Sequence, residues 1–351
     1  MKEWRNIDTM CKSPLKGFQI GWTEKKKPNY MICSYHVDHV EKIKGTWTKQ
    51  YDTFISSLAS EYVKDFQEIP CGHCIECYLN YSQQWANRCM LELTDYEPCE
   101  CWFLTLTYDE QHIMDINSDV FAGTLMKSDL QKFWKRLRQF VERDVGEKSR
   151  IRYFACGEYG TNTFRPHYHA ILYGFPWTDL HPIGRSKSGF PLFECLTLGK
   201  IWGNGYVTVS PVTWETCAYT ARYVMKKVDK SYDQNLYEKN NLEREFVTMS
   251  RRPGIGLSYY ELHKEKIYEF DQIILSTADG GKIIHPPKYF DDKYELDNPE
   301  KYEEIKEQRK EKAENIRLEK MCHTDKEYLE QLRTEAETLQ RRLKGLRRDK
   351  I

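Results

Sequence analysis

Two patterns in this sequence predict an α+β fold built on a central antiparallel sheet. Strand-like and helical segments alternate between residues 96 and 290, and within that stretch two β-rich runs are joined by a turn too short for a parallel crossover. Trp102–Tyr108 is dense in aromatic and β-branched residues and reads as a buried strand. Ser128 is placed to cap a helix whose apolar positions, Leu130, Phe133, Trp134, Leu137, Phe140 and Val141, make one continuous core face. Its other face carries Lys132, Lys135, Arg136, Arg138 and Arg143, which suit either solvated surface or a phosphate-contacting patch. Arg150–Gly157 forms the next strand. Residues through Pro166 make a hairpin turn, and the run from Arg165 to Tyr173, Arg-Pro-His-Tyr-His-Ala-Ile-Leu-Tyr, returns antiparallel.

Composition divides the chain into three parts. Residues 1–95 bear cysteines, begin polar and weakly patterned, and end in a helix from about Tyr78 to Leu93. Residues 96–290 hold the alternating pattern. Within them, 229–245 read as an inserted polar loop before a strand at Phe246–Ser250, and Gln272–Thr277 with Lys282–Ile284 flank Asp279-Gly-Gly281 as a hairpin. Arg251-Arg252-Pro-Gly-Ile-Gly256 joins paired guanidinium groups to glycines, which fits a DNA phosphate site or a sharp surface turn. Residues 291–351 form a charged tail in which Leu329, Leu332, Ala336, Leu339, Leu343 and Leu346 approximate a heptad register. A solvated helix packed on the body is one reading. Self-association, or nucleic-acid contact through Arg341, Arg342, Lys344, Arg347 and Arg348, is the other.

With 351 residues, 40% hydrophobic and 14% aromatic, the chain is long enough for a sizeable core and for more than one structural unit. Lys+Arg and Asp+Glu are both 53, so net charge provides no general attraction to nucleic acid and any basic surface is local. The first ten residues lack a signal-peptide core and no apolar run reaches membrane-span length, which points to a soluble cytoplasmic protein. Twelve cysteines in such a chain are packed thiols or metal ligands rather than a disulfide framework.

His167 and His169 stand two apart on a strand, so both imidazoles face one side while Tyr168 faces the other. Glu158, at the end of the preceding strand, comes towards His167 across the hairpin. Two imidazoles and a carboxylate with open positions suit Mg²⁺ or Mn²⁺, completed by substrate phosphate and water. Downstream, Tyr219 and Tyr223 are one helical turn apart and lie side by side, accompanied by Arg222, Lys226 and Lys227. A phenol of ordinary pKa near ~10 is a poor nucleophile, so it needs nearby cations and a polarised phosphate. The divalent ion supplies the polarisation, and Lys226 or Lys227 adds charge where the transition state turns negative. Attack by one tyrosine leaves a 5′-phosphotyrosine and a free 3′-hydroxyl. A second tyrosine allows a second transfer that closes the displaced strand into a circle.

Cys71-Gly-His73-Cys74-Ile-Glu-Cys77 packs three thiols and an imidazole into seven residues, a density that favours structural Zn²⁺. So short a loop does not easily converge all four groups, which leaves Cys11, Cys33, Cys99 or Cys101 as a remote fourth ligand. Buried free thiols without metal are the alternative. Trp85, Arg88 and Glu92 share a helical stripe, with Arg88 and Glu92 as an i,i+4 ion pair.

Phe103–Tyr108, His167-Tyr-His169 and Tyr219-x-x-x-Tyr223-x-x-Lys226 resemble, in order, the three motifs of the HUH endonuclease superfamily. More narrowly, Arg165–Leu172, Pro70–Cys77 and Met249–Gly256 resemble the replication initiators of microviruses of the gokushovirus type. These motifs cover most of residues 70–290. The resemblance implies an RNA-recognition-like nuclease core with helices on one side of the sheet, and a two-tyrosine rolling-circle initiator. Such a protein nicks single-stranded DNA at the viral replicative-form origin with a divalent ion. It works with a host helicase and polymerase in the cytoplasm of an infected bacterium. It also implies that His73 is incidental to the cysteine cluster. Two other classes keep the same residues: a non-catalytic zinc-stabilised nucleic-acid-binding protein, and a metallohydrolase activating water at His167, His169 and Glu158.

Overall fold

A computed structural model describes residues 11–24, 28–113, 123–146, 148–160, 163–175, 179–186, 189–226, 234–277 and 280–345, without the side chains of 223–226, 234–236, 277 and 343–345. By compactness the chain forms two units, residues 1–80 with 317–346 and residues 81–316 with 347–351. The first carries β1 (Leu15–Trp22), β2 (Pro28–Ser34), β3 (His39–Ile43), β4 (Thr46–Gln50), β5 (Ala59–Val63) and β6 (Phe66–Ile69), then the start of α1 (Ile75–Glu92). These strands make two three-stranded antiparallel sheets, ordered β2-β1-β6 and β4-β3-β5, where sequence patterning was too weak to indicate strands. Their cores are small, with Phe18, Cys33, Val37 and Val40 at one centre.

The second unit contains β7 (Trp102–Tyr108), α2 (Lys127–Phe140), β8 (Arg152–Tyr159), β9 (Pro166–Tyr173), β10 (Leu180–Arg185), β11 (Pro191–Cys195), α3 (Leu196–Trp202), β12 (Gly205–Pro211), α4 (Trp214–Lys226), α5 (Gln234–Lys239) and β13 (Phe246–Met249). It continues through α6 (Leu257–Phe270), the hairpin β14 (Ile273–Thr277) and β15 (Gly280–Ile284), α7 (Lys288–Asp297) and most of α8 (Pro299–Cys322). The last helix, α9 (Tyr328–Gly345), belongs to the first unit, where it buries Leu332 and Leu339 and where the Tyr328 hydroxyl donates to Glu68 (3.1 Å). Leu343 and Leu346 of the expected heptad run lie outside the described side chains.

Seven strands form the central sheet in the order β10-β11-β12-β7-β9-β8-β13, every pair antiparallel. Helices cover both of its faces, which corrects the expectation that they pack on one side. Leu104, Leu106, Tyr168 and Ala170 meet Leu130, Phe133, Trp134 and Leu137 of α2 and Leu198 and Trp202 of α3. The intervening residues Phe103, Ile171 and Tyr173 meet Ala86 and Cys89 of α1 and Trp214, Cys217 and Ala221 of α4. The strands carry the reason: β7 opens Trp-Phe-Leu and β9 closes Ala-Ile-Leu-Tyr, and strands with consecutive apolar residues bury both faces.

Three local readings are corrected. Ser128 lies inside α2, whose N-cap is Met126 without a side-chain cap bond. Helix α1 begins at Ile75, earlier than Tyr78. Part of the inserted loop is helical, as α5.

Candidate functional site

The central hairpin sets the site. In the β8/β9 register Glu158 is directly opposite His167, and Cys156 is opposite His169, so alternation along β9 brings both imidazoles onto the face that carries Glu158. Gly160 and Arg165 close the hairpin, the Gly160 N–H donating to the Arg165 carbonyl at 3.0 Å. Oε1 of Glu158 lies 2.9 Å from Nε2 of His167 and 2.8 Å from Nε2 of His169. Tyr168 points the other way, and its hydroxyl is 2.7 Å from that of Tyr108.

Helix α4 lies over the same face. Thr213 and Thr216 cap its start reciprocally, the Trp214 indole donates to Asn87 of α1 (2.9 Å), and Cys217 and Ala221 press on the sheet. One turn along, the Tyr219 hydroxyl donates to the same Oε1 of Glu158 at 2.9 Å, and its ring stands edge-on to His169. The Arg222 guanidinium lies 5.3 Å from the Tyr219 ring centre. The side chains of Tyr223 and Lys226, and the whole of Lys227, are outside the described residues.

Protons indicate what this cluster can bind. The Arg165 carbonyl can only accept, so Nδ1 of His167, 3.0 Å away, carries the hydrogen. In the neutral imidazole Nε2 then presents its lone pair to a carboxylate oxygen, a repulsive pairing that a cation at the centre converts to attraction. Thr105, opposite His169, holds that ring's Nδ1 at 3.0 Å, and Phe103 stacks on it. Burial lowers the proton affinity of His169 against the pull of Glu158, which favours the neutral ligand form. Burial pushes the Glu158 carboxyl up, but the hydrogen bonds and charge of His167 and His169 outweigh it and hold the group well below the usual carboxylate range. The ligand atoms of the three residues all lie within 4.8 Å of one another. Ligands about 2.1 Å from an octahedral Mg²⁺ stand ~3 Å apart at adjacent positions, so this donor set fits a hard divalent ion with minimal movement.

Arg251 and Arg252 are exposed on the loop after β13, which is fastened from beneath. Arg88, lying over the rings of Trp85 and Tyr289, donates to the Ile255 carbonyl, while Glu92 accepts from the Gly256 N–H and pairs with Arg152. Arg88 and Glu92 thus hold the loop rather than forming the expected i,i+4 pair. Gly254 serves this packing too, because a Cβ there would come 2.4 Å from the Tyr289 hydroxyl.

In the first unit the sulfurs of Cys71, Cys74 and Cys77 are joined by that of Cys11, all within 4.8 Å. Of the other candidate fourth ligands, Cys33 and Cys101 are buried in separate cores and Cys99 is exposed. His73 is exposed and outside the cluster. Cys11, Thr105 and Phe103 were not assigned to their sites by sequence spacing, since only strand register shows which residues stand opposite.

The family model of Replication-associated protein ORF2 matches residues 101–229, the stretch that contains Glu158, His167, His169 and Tyr219. The chain is 32% identical over 284 residues to Replication-associated protein ORF2 of Spiroplasma virus 4, covering 80% of this chain and 85% of that one. It is 29% identical over 241 residues to Replication-associated protein VP4 of Bdellovibrio phage phiMH2K, covering 67% and 70%. To Replication-associated protein ORF4 of Chlamydia phage 1 it is 31% identical over 235 residues, covering 66% and 54%. The chain belongs to the gokushovirus-type family of microvirus replication-associated proteins. No solved structure matches it. No helix among the described residues is long and apolar enough to cross a membrane.

Proposed function

We propose that the protein initiates rolling-circle replication by nicking the viral replicative-form origin, with an HUH-type nuclease core as its scaffold. The supporting observation is that His167, His169 and Tyr219 all direct their polar atoms at one oxygen of Glu158. His167, His169 and Glu158 would hold Mg²⁺ or Mn²⁺, which when bound polarises the scissile phosphate and orients it. The Tyr219 oxygen attacks phosphorus, the P–O3′ bond breaks, and its electron pair leaves on the 3′-oxygen, which takes a proton from water. Glu158 Oε1 is the nearest acceptor for the phenol proton. Because that carboxyl is a weak base, the phenol depends on positive charge around it, from Arg222 and from Lys226 or Lys227. Tyr223, one turn further along α4, provides the second transfer that rejoins the displaced circle. Arg251 and Arg252 contact phosphates of the single strand, and the host supplies helicase and polymerase in the bacterial cytoplasm.

Incubation with an end-labelled single-stranded origin oligonucleotide and Mn²⁺, followed by a denaturing gel, should give a labelled protein band that chelation removes. A labelled band that survives complete chelation, or its absence with an active preparation, would overturn the reading. Thr105→Val removes the polar partner of His169 Nδ1 with little change in volume. It is expected to weaken Mn²⁺ affinity by about 10- to 100-fold, measured by metal titration of adduct formation, with the rate largely restored at saturating metal.

A further inference from the structure

We propose that Cys11, Cys71, Cys74 and Cys77 form a closed tetrathiolate Zn²⁺ site that ties the chain before β1 to the loop entering α1. The sheet assembles it. Leu15 of β1 pairs with Ile69 of β6 in antiparallel register, so the residues preceding Leu15 and those following Ile69 emerge at the same end of the strand pair. That brings Cys11 to the Cys71–Cys77 loop across sixty residues of sequence.

Distances support zinc over a disulfide or a chance cluster of thiols. Zinc–sulfur bonds of about 2.3 Å in tetrahedral geometry separate the sulfurs by about 3.8 Å. Cys74 and Cys11 sulfurs are 3.8 Å apart, and those of Cys71 and Cys77 are 4.0 Å apart. All four cysteines are free thiols. The backbone already neutralises part of the charge that four thiolates would bring: the Cys71 N–H donates to Cys11 Sγ (3.3 Å), and those of His73 and Cys74 donate to Cys71 Sγ (3.4 and 3.3 Å). Gly72, at φ +76°, gives the turn that aims those two amides inwards. Four soft sulfurs select zinc over the hard ions suited to the histidine site, and a full sulfur set leaves no position for substrate. The site is therefore structural, setting the entry of α1 against the β1/β6 pair.

The test uses the full chain purified under reducing conditions, carrying His167→Ala and His169→Ala so that the histidine pair contributes no metal. About one zinc per chain is expected, with X-ray absorption showing four sulfur neighbours near ~2.3 Å and no nitrogen. Cys11→Ser should lose the zinc or its fourth sulfur, while Cys33→Ser and Cys101→Ser keep both. Should Cys11→Ser not fold, alkylation of the parent chain mapped by mass spectrometry decides: Cys11, Cys71, Cys74 and Cys77 should become reactive together on zinc removal. A metal-free preparation that takes up no zinc, a nitrogen ligand in place of one sulfur, or Cys11 reactivity unchanged by zinc removal would overturn the proposal.

Discussion

Replacing Tyr219 and Tyr223 together by Phe is expected to abolish the covalent protein–DNA adduct while leaving single-strand binding within about threefold of the parent, since each change deletes only a hydroxyl. Phe at 219 keeps the ring that stands edge-on to His169 and Phe103, so the packing between α4 and the sheet persists. What disappears is the oxygen 2.9 Å from Glu158. The double variant separates three chemistries in one gel. A tyrosine transferase gives neither cut nor adduct. A metallohydrolase still cuts, because water is its nucleophile. A binding module retards the oligonucleotide before and after the change and never cuts it. Continued cleavage by the double variant would therefore sink the phosphotyrosine route specifically.

Glu158→Gln is expected to reduce adduct formation by about a thousandfold at limiting Mn²⁺, corresponding to loss of several kcal/mol of charge stabilisation. The substitution is nearly isosteric, but it removes the negative charge that would hold the ion. It also puts either an amide oxygen or an N–H donor in front of the His167 and His169 nitrogens and the Tyr219 hydroxyl. Glu158 is 2% exposed, and its carboxyl is held low by the paired imidazoles, so in the metal-free protein the ionised form is the one that folding favours. Raising Mn²⁺ should recover part of the rate, because the defect lies in metal affinity. Activity equal to the parent at limiting metal would remove Glu158 from the site, and the cluster would then be a buried hydrogen-bond network only.

The motifs show which parts were visible before folding. His167 and His169 share a face because β9 alternates, and Tyr219 and Tyr223 share a stripe because α4 turns every 3.6 residues; both relations are local, fixed by the strand and helix periods. The hairpin that carries Glu158 to His167 is nearly as local, nine residues apart. The misplaced cap at Ser128 and the α1 start at Ile75 are boundary errors of one to three residues, where local propensity is weakest. Coverage of both sheet faces was also present in the consecutive apolar residues of β7 and β9, although one-sided packing was expected from resemblance.

Sequence by itself determined the chemical inventory of this protein: two imidazoles on one strand face, two phenols on one helix stripe, and a dense cysteine loop. Tertiary structure decided which of these meet. The Arg88 and Glu92 side chains turned to the Ile255 carbonyl and the Gly256 amide instead of to each other, Thr105 came to back His169, and Cys11 joined cysteines sixty residues away. Each of those pairings depends on strand register or on a loop seated across helices. Register is set cooperatively by burial on both faces of a sheet, so a one-residue slip that leaves the local pattern intact would send every such partner to the opposite side.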